Sequence, residues 1–194
     1  MHPTIGELLR GLTAGVIALA LAGCTPLLIG GTATGAAVIG DQRSVGVVVD
    51  DTLIELQIEA VIAENKPLHR ETHVEVMSVN GLVLLTGEAG TIAERNDVLT
   101  IVRKINGVRR IVNQLRIAPP SSFTARLADS WITLRVKSAL VAHHLNADQI
   151  KVVTANRVVY LLGIVPPAQG NEAALIASRI PDVLSIIELF EHHP

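Results

Sequence analysis

Aromatic side chains are almost absent from this chain: Phe123, Trp131, Tyr160 and Phe190 are the only four among 194 residues. Aliphatic residues must therefore fill any core, and the 49% apolar content provides them. A single cysteine, Cys24, excludes internal disulfides, so the folded part is held by packing alone. An excess of either charge is also lacking. Residues 51–118 carry eight basic and nine acidic side chains and residues 119–194 six of each. A nucleic-acid binder would concentrate positive charge on one domain, and this balance argues against one.

The N-terminus carries a short apolar core, Leu12 to Leu21, behind Arg10 and ahead of the small residues Ala22 and Gly23. A span across a bilayer takes roughly 20 apolar residues, so this stretch has the length of a secretory signal instead. Leu-Ala-Gly-Cys at 21–24 resembles a bacterial lipoprotein signal. That resemblance implies cleavage of residues 1–23, acylation of the Cys24 thiol and a lasting membrane anchor. In Gram-negative lipoproteins an Asp after the cysteine retains the protein in the inner membrane. By the same resemblance Thr25 favours the outer membrane, with the folded part facing the periplasm. Residues 24–49, rich in Gly, Ala and Thr, read as a tether.

Beyond residue 49 the chain repeats itself. DDTLIELQIEAVI at 50–62 is echoed by DSWITLRVKSAL at 129–140, VNGLVLLTG at 79–87 by ANRVVYLLG at 155–163, and INGVRRIVNQLRI at 105–117 by IPDVLSIIELFE at 180–191. Nearly constant offsets mean two domains of one fold. In the first copy Ile54, Ile58, Val61 and Ile62 recur at helical spacing, with Glu55 and Glu59 toward solvent. An apolar run from His73 to Thr86 is broken by Asn80-Gly81, a hairpin signal. A second helical stripe follows at Val98, Ile101, Val102 and Ile105, Gly107 ends it, and Val108–Ile117 forms a last strand. The second copy repeats this with Ile132, Val136, Ala139 and Leu140, a turn near Ala155-Asn156, a stripe at Ala173, Ile176, Ala177 and Ile180, and a strand from Val183.

The expected architecture is α+β: two αββαβ domains, residues 50–118 and 128–194, each with two helices on one face of a three-stranded sheet and the other face more exposed. Pro119-Pro120 marks a short, stiff linker over 119–127. Units this small are marginal alone, which favours contact between the copies.

The twofold pattern, the apolar-Asn-Gly-apolar hairpin ending in Leu-Thr-Gly and the Gly-Val turn before the last strand resemble the BON domain of osmotically induced periplasmic proteins. With the lipoprotein signal, DQRSVG at 41–46, VDD at 49–51 and DSWITLRVKS at 129–138, the chain resembles the dual-BON outer-membrane lipoproteins of the DolP type. The resemblance implies binding without catalysis. It implies support of envelope integrity, gathering at division sites, and contact with anionic phospholipid through the first helix of the second domain. Asn156-Arg157 departs from the glycine common in the family's hairpin, and Asp182 stands where the first copy has Gly107.

The residues of that helix point the same way. Trp131, Leu134, Arg135, Ser138 and Val141 form a second stripe beside the core stripe, joining an indole, aliphatic groups and a cation, a set suited to the headgroup boundary. Alternatively, Trp131 packs between the domains and Arg135 is an ordinary solvated charge. A protein-interaction adaptor, recruiting envelope proteins to exposed sheet faces or edge strands, is the second functional class. Asp50-Asp51 and Asp129-Ser130 read as N-caps and not as catalytic pairs. His143-His144 and His192-His193 suggest no metal, because adjacent histidines point apart. The glycines at 30–40 do not follow a strand and open a helix, as a dinucleotide site requires, so no cofactor is expected.

Overall fold

The computed structural model describes residues 45–146 and 148–192. The signal at 1–23, Cys24, Thr25 and most of the tether lie outside the described residues.

In the first copy, helix α1 (Val45–Glu64) and a short helix α2 (Lys66–Glu71) lead into the hairpin β1 (Thr72–Val79) and β2 (Leu82–Ala89), followed by helix α3 (Ile92–Val102) and strands β3 (Arg110–Asn113) and β4 (Arg116–Ile117). In the second, helix α4 (Phe123–Ala142) precedes the hairpin β5 (Ile150–Ala155) and β6 (Val158–Ile164), helix α5 (Pro167–Ser178) and strand β7 (Ser185–Glu191). The hairpins are antiparallel and the last strands pair parallel to β2 and β6. Local chemistry sets several boundaries. Thr91 and Glu94 form a reciprocal capping box at α3, and the Ser122 hydroxyl accepts from Ala125 N at the start of α4.

Both first helices begin earlier than expected. Val45 lies within the stretch read as tether, and Phe123 lies within the stretch read as linker. The last strand of the first copy is broken: Gln114 N donates to Leu85 O and Asn113 Oδ1 accepts from Leu115 N. That break divides it into β3 and β4, so this sheet has four strands while the second has three.

The aspartates expected as N-caps do something else. Because α1 starts at Val45, Asp51 sits inside the helix, 1% exposed, and reaches the hairpin turn. It accepts from Asn80 N at 2.7 Å, Gly81 N at 2.9 Å and the Ser78 hydroxyl at 2.7 Å. Asp129 repeats the latch in the second copy, accepting from Asn156 N at 2.8 Å and Arg157 N at 2.9 Å. Both turn residues of each hairpin have positive φ: Asn80 and Gly81 in one, Asn156 and Arg157 in the other. Gly81 is required there, since a Cβ would lie 2.4 Å from Gly107 O. In the second copy Arg157 and Asp182 replace that glycine pair, and Arg157 Nε donates to Asp182 O at 2.8 Å.

Each domain has its own core between helices and sheet, centred on Ile58, Val83, Leu85, Val98 and Val102 in one and on Ile132, Val136, Leu140, Val159 and Leu161 in the other. Alternate strand residues point the other way and meet between the domains. Val79, Leu82 and Leu84 pack with Val153, Tyr160 and Leu162 in a third apolar cluster. The sheet faces are therefore closed against each other, not exposed as expected. The result is a four-layer stack, helices on the outside and two sheets within, with α1 and α3 in one outer layer and α4 and α5 in the opposite one.

Polar ties fix the register of this stack. Lys151 Nζ lies 2.9 Å from both Glu55 Oε1 and Ser78 O, so Glu55 faces the second domain and not solvent. Asn80 Nδ2 donates to Glu191 Oε2 and Asn156 Nδ2 to Glu88 Oε1, each at 2.8 Å, two near-symmetric clasps by the turn asparagines. Glu88 is 2% exposed. Burial opposes its ionisation, but hydrogen bonds from Asn156 and Ser121 outweigh it and hold the carboxyl below its ordinary value of 4.5. A carboxylate with a depressed pKa contributes stability above its unfolded pKa and loses it as pH falls through the folded one. Urea midpoints measured from pH 7 to pH 3 should therefore show the native chain more stable than Glu88→Gln at neutral pH. The difference should shrink once pH drops below the ordinary value, and an undiminished difference in acid would refute the assignment.

Candidate functional site: the outer face of α4

Helix α4 has two sides. Ile132, Val136 and Leu140 are buried against the second sheet. On the other side Phe123 (72% exposed), Leu127, Trp131 (58%), Leu134 and Val141 stand open to solvent, with Ser138 exposed among them. The spacing of four, four, three, four and three keeps these side chains along one helical stripe. Five large apolar side chains held in water along one helix form a contiguous surface that a soluble domain ordinarily covers.

Trp131 does not pack between the domains; it lies beside Ala128 and Arg135 on the helix surface. Sequence reasoning missed Phe123 and Leu127, because both fell in the presumed linker.

Arg135 is placed differently from the expectation of a free cation. Its Nη2 lies 3.1 Å from Asp182 Oδ2, and Arg157 approaches the same carboxylate at 3.6 Å. Asp182 is 61% exposed, so this pair is accessible to water and salt and is worth about 0–1 kcal/mol. Lys137 is exposed and has no ion pair among the described residues. Arg126 Nη1 donates to Ser121 O at the start of the helix.

The corresponding face of α1 carries Val49, Leu53 and Leu56, also exposed, but flanked by Asp50 and Glu59. The two outer faces thus share an apolar stripe and differ in charge and in the indole. Among the described residues no three His, Cys, Asp or Glu side chains converge to hold a metal ion, and no helix is long and apolar enough to cross a membrane. His143 caps the C-terminus of α4, and His192 Nδ1 lies 2.8 Å from Val165 O, while His193 lies outside the described residues.

A duplicated αββαβ unit, joined sheet to sheet with an apolar stripe exposed on each first helix, is a tandem-domain α+β protein. The BON domain matches residues 50–119 and 128–191, and the chain belongs to the BON family. It is 35% identical over 173 residues to the outer membrane lipoprotein DolP of Haemophilus influenzae, covering 89% of this chain and 90% of that protein. It is 32% identical over 153 residues to the 21 kDa hemolysin of Actinobacillus pleuropneumoniae, covering 78% and 79%. Osmotically-inducible protein Y of Escherichia coli K12 is 25% identical over 156 residues, covering 78% and 77%.

Proposed function

We propose that this chain is an outer-membrane lipoprotein, held by acylated Cys24, whose second BON domain binds anionic phospholipid through the outer face of α4. Its role is to support envelope integrity from the periplasmic side, including at division sites. The observation that carries this reading is the exposed stripe of α4, above all a tryptophan held 58% open to solvent with aliphatic neighbours on the same side. Indole prefers the headgroup boundary, where its ring is desolvated and its N–H stays hydrogen-bonded. Likeness to an outer membrane lipoprotein over nine-tenths of both chains supports the location.

The charge on this face is modest, and the affinity follows from that. A basic residue near an anionic surface contributes about 1 kcal/mol, so Lys137, and Arg135 on exchanging Asp182 for a phosphate, add little by themselves. The acyl anchor compensates by holding the domain at high local concentration beside the bilayer. Ser138 leaves room between the larger side chains for a headgroup to approach.

Flotation of the full chain with phosphatidylglycerol vesicles tests this. Trp131→Ala combined with Leu134→Ala should weaken binding about tenfold or more, since each large apolar side chain contributes on the order of 1 kcal/mol or more when desolvated. Lys137→Glu should weaken it severalfold and reduce its sensitivity to salt, because less screened attraction is left. Retention of native binding by both variants would reject the reading.

A further inference from the structure

Residues 103–110, RKINGVRR, run from the end of α3 into β3 and hold four cations and no acid. The matching stretch of the second copy, SRIPDVLS at 178–185, makes the same left-handed turn, Gly107 being answered by Asp182, with one cation and one acid. The fold itself therefore does not require this charge. Arg109 is committed, donating to Asn80 O and lying 3.7 Å from Glu191. Arg103, Lys104 and Arg110 are exposed and have no acidic partner among the described residues.

These cations flank an open sheet edge. Arg103 and Arg110 line a groove of about 400 Å³ beside β3, which among the described residues pairs only with β2. Arg110 and Gln114 donate inward to Gly81 O and Leu85 O, so the alternation turns the N–H groups of Ile111 and Asn113 to the unpaired side. Charged residues on an edge strand discourage indiscriminate pairing, but a cluster of one sign still admits a strand of the opposite sign.

We propose that this edge is a docking site for an extended acidic segment of a partner protein, which adds beside β3 as a further strand while its carboxylates meet Arg103, Lys104 and Arg110. A bilayer fits the patch less well. Leu99, Val108 and Ile111, its apolar members, pack against the first core, and α3 lies in the outer layer opposite α4.

The test is fluorescence anisotropy of the full chain with a labelled peptide alternating Glu and Val, beside the same peptide with Lys for Glu. Only the Glu peptide should bind. Arg103→Glu with Arg110→Glu should reduce its affinity at least tenfold while phosphatidylglycerol vesicle binding persists. Asn113→Pro, which keeps the cations and removes one outward N–H, should reduce it at least threefold. Lys66→Glu, a charge reversal on α2, should leave it unchanged. Equal binding of the two peptides, or Glu-peptide binding that survives the double reversal, would overturn the proposal. Native affinity in Asn113→Pro would overturn strand addition. Loss of vesicle binding with peptide binding intact in the double reversal would overturn it by making the patch a lipid contact.

Discussion

Asp51→Ala is expected to lower the thermal midpoint by about 6–20 °C, the largest single effect expected of a polar substitution among the described residues. The carboxylate is 1% exposed and accepts from two backbone N–H groups of the hairpin turn and from the Ser78 hydroxyl. Hydrogen bonds to a charged group contribute about 1.5–3 kcal/mol each, and buried donors left without an acceptor cost further. Non-additivity within one cluster brings the sum to about 3–5 kcal/mol, and each kcal/mol moves the midpoint of a chain of this size by about 2–4 °C. Asp129→Ala should cost less, because its latch has two donors and is only half-buried. Calorimetry of the two variants checks both the size and the order. Equal midpoints for Asp51→Ala and the native chain would show that the turn holds without its latch.

The second large effect is expected at the sheet-to-sheet contact. Leu84 and Leu162 are 1% and 0% exposed and belong to the cluster shared by the two domains. Replacing either by Ala removes apolar contact and leaves a cavity, at a cost of about 2–5 kcal/mol. Because the site joins the domains, the loss should also appear as reduced cooperativity. Hydrogen exchange should report faster opening of both sheets in either variant, with amides of the outer helices less affected. Protection lost in one domain alone would show that the sheets do not stabilise each other.

Much of this fold was legible in the sequence, for physical reasons. The repeat, the positive-φ turn at Asn80-Gly81 and the buried stripe at Ile132, Val136 and Leu140 are local patterns, and local patterns survive in one dimension. The closure of the sheets is not local, yet it left a signal. Leu82 to Leu85 and Val158 to Leu162 are continuous apolar runs, and a strand apolar on both sides is covered on both sides. The misplaced helix starts have a simple origin. The step from Val47–Val49 to Asp50-Asp51 imitates a cap, and Pro119-Pro120 draws the eye past Ser122, the residue that caps α4.

The proposed binding face was half legible. The spacing of Trp131, Leu134, Ser138 and Val141 marks a second stripe, and the structure leaves it uncovered. Its extension to Phe123 and Leu127 depended on where the helix starts. The ion pair of Arg135 with Asp182 joins residues 47 apart in sequence and depends on the turn before β7, which no spacing rule reaches.

Trp131 is the only tryptophan of the chain, so its emission reports on the outer face of α4 without interference. Titration of the full chain with phosphatidylglycerol vesicles should shift that emission to shorter wavelength as the indole leaves water, and phosphatidylcholine vesicles should shift it far less. Emission indifferent to both lipids would contradict α4 as the phospholipid-binding face.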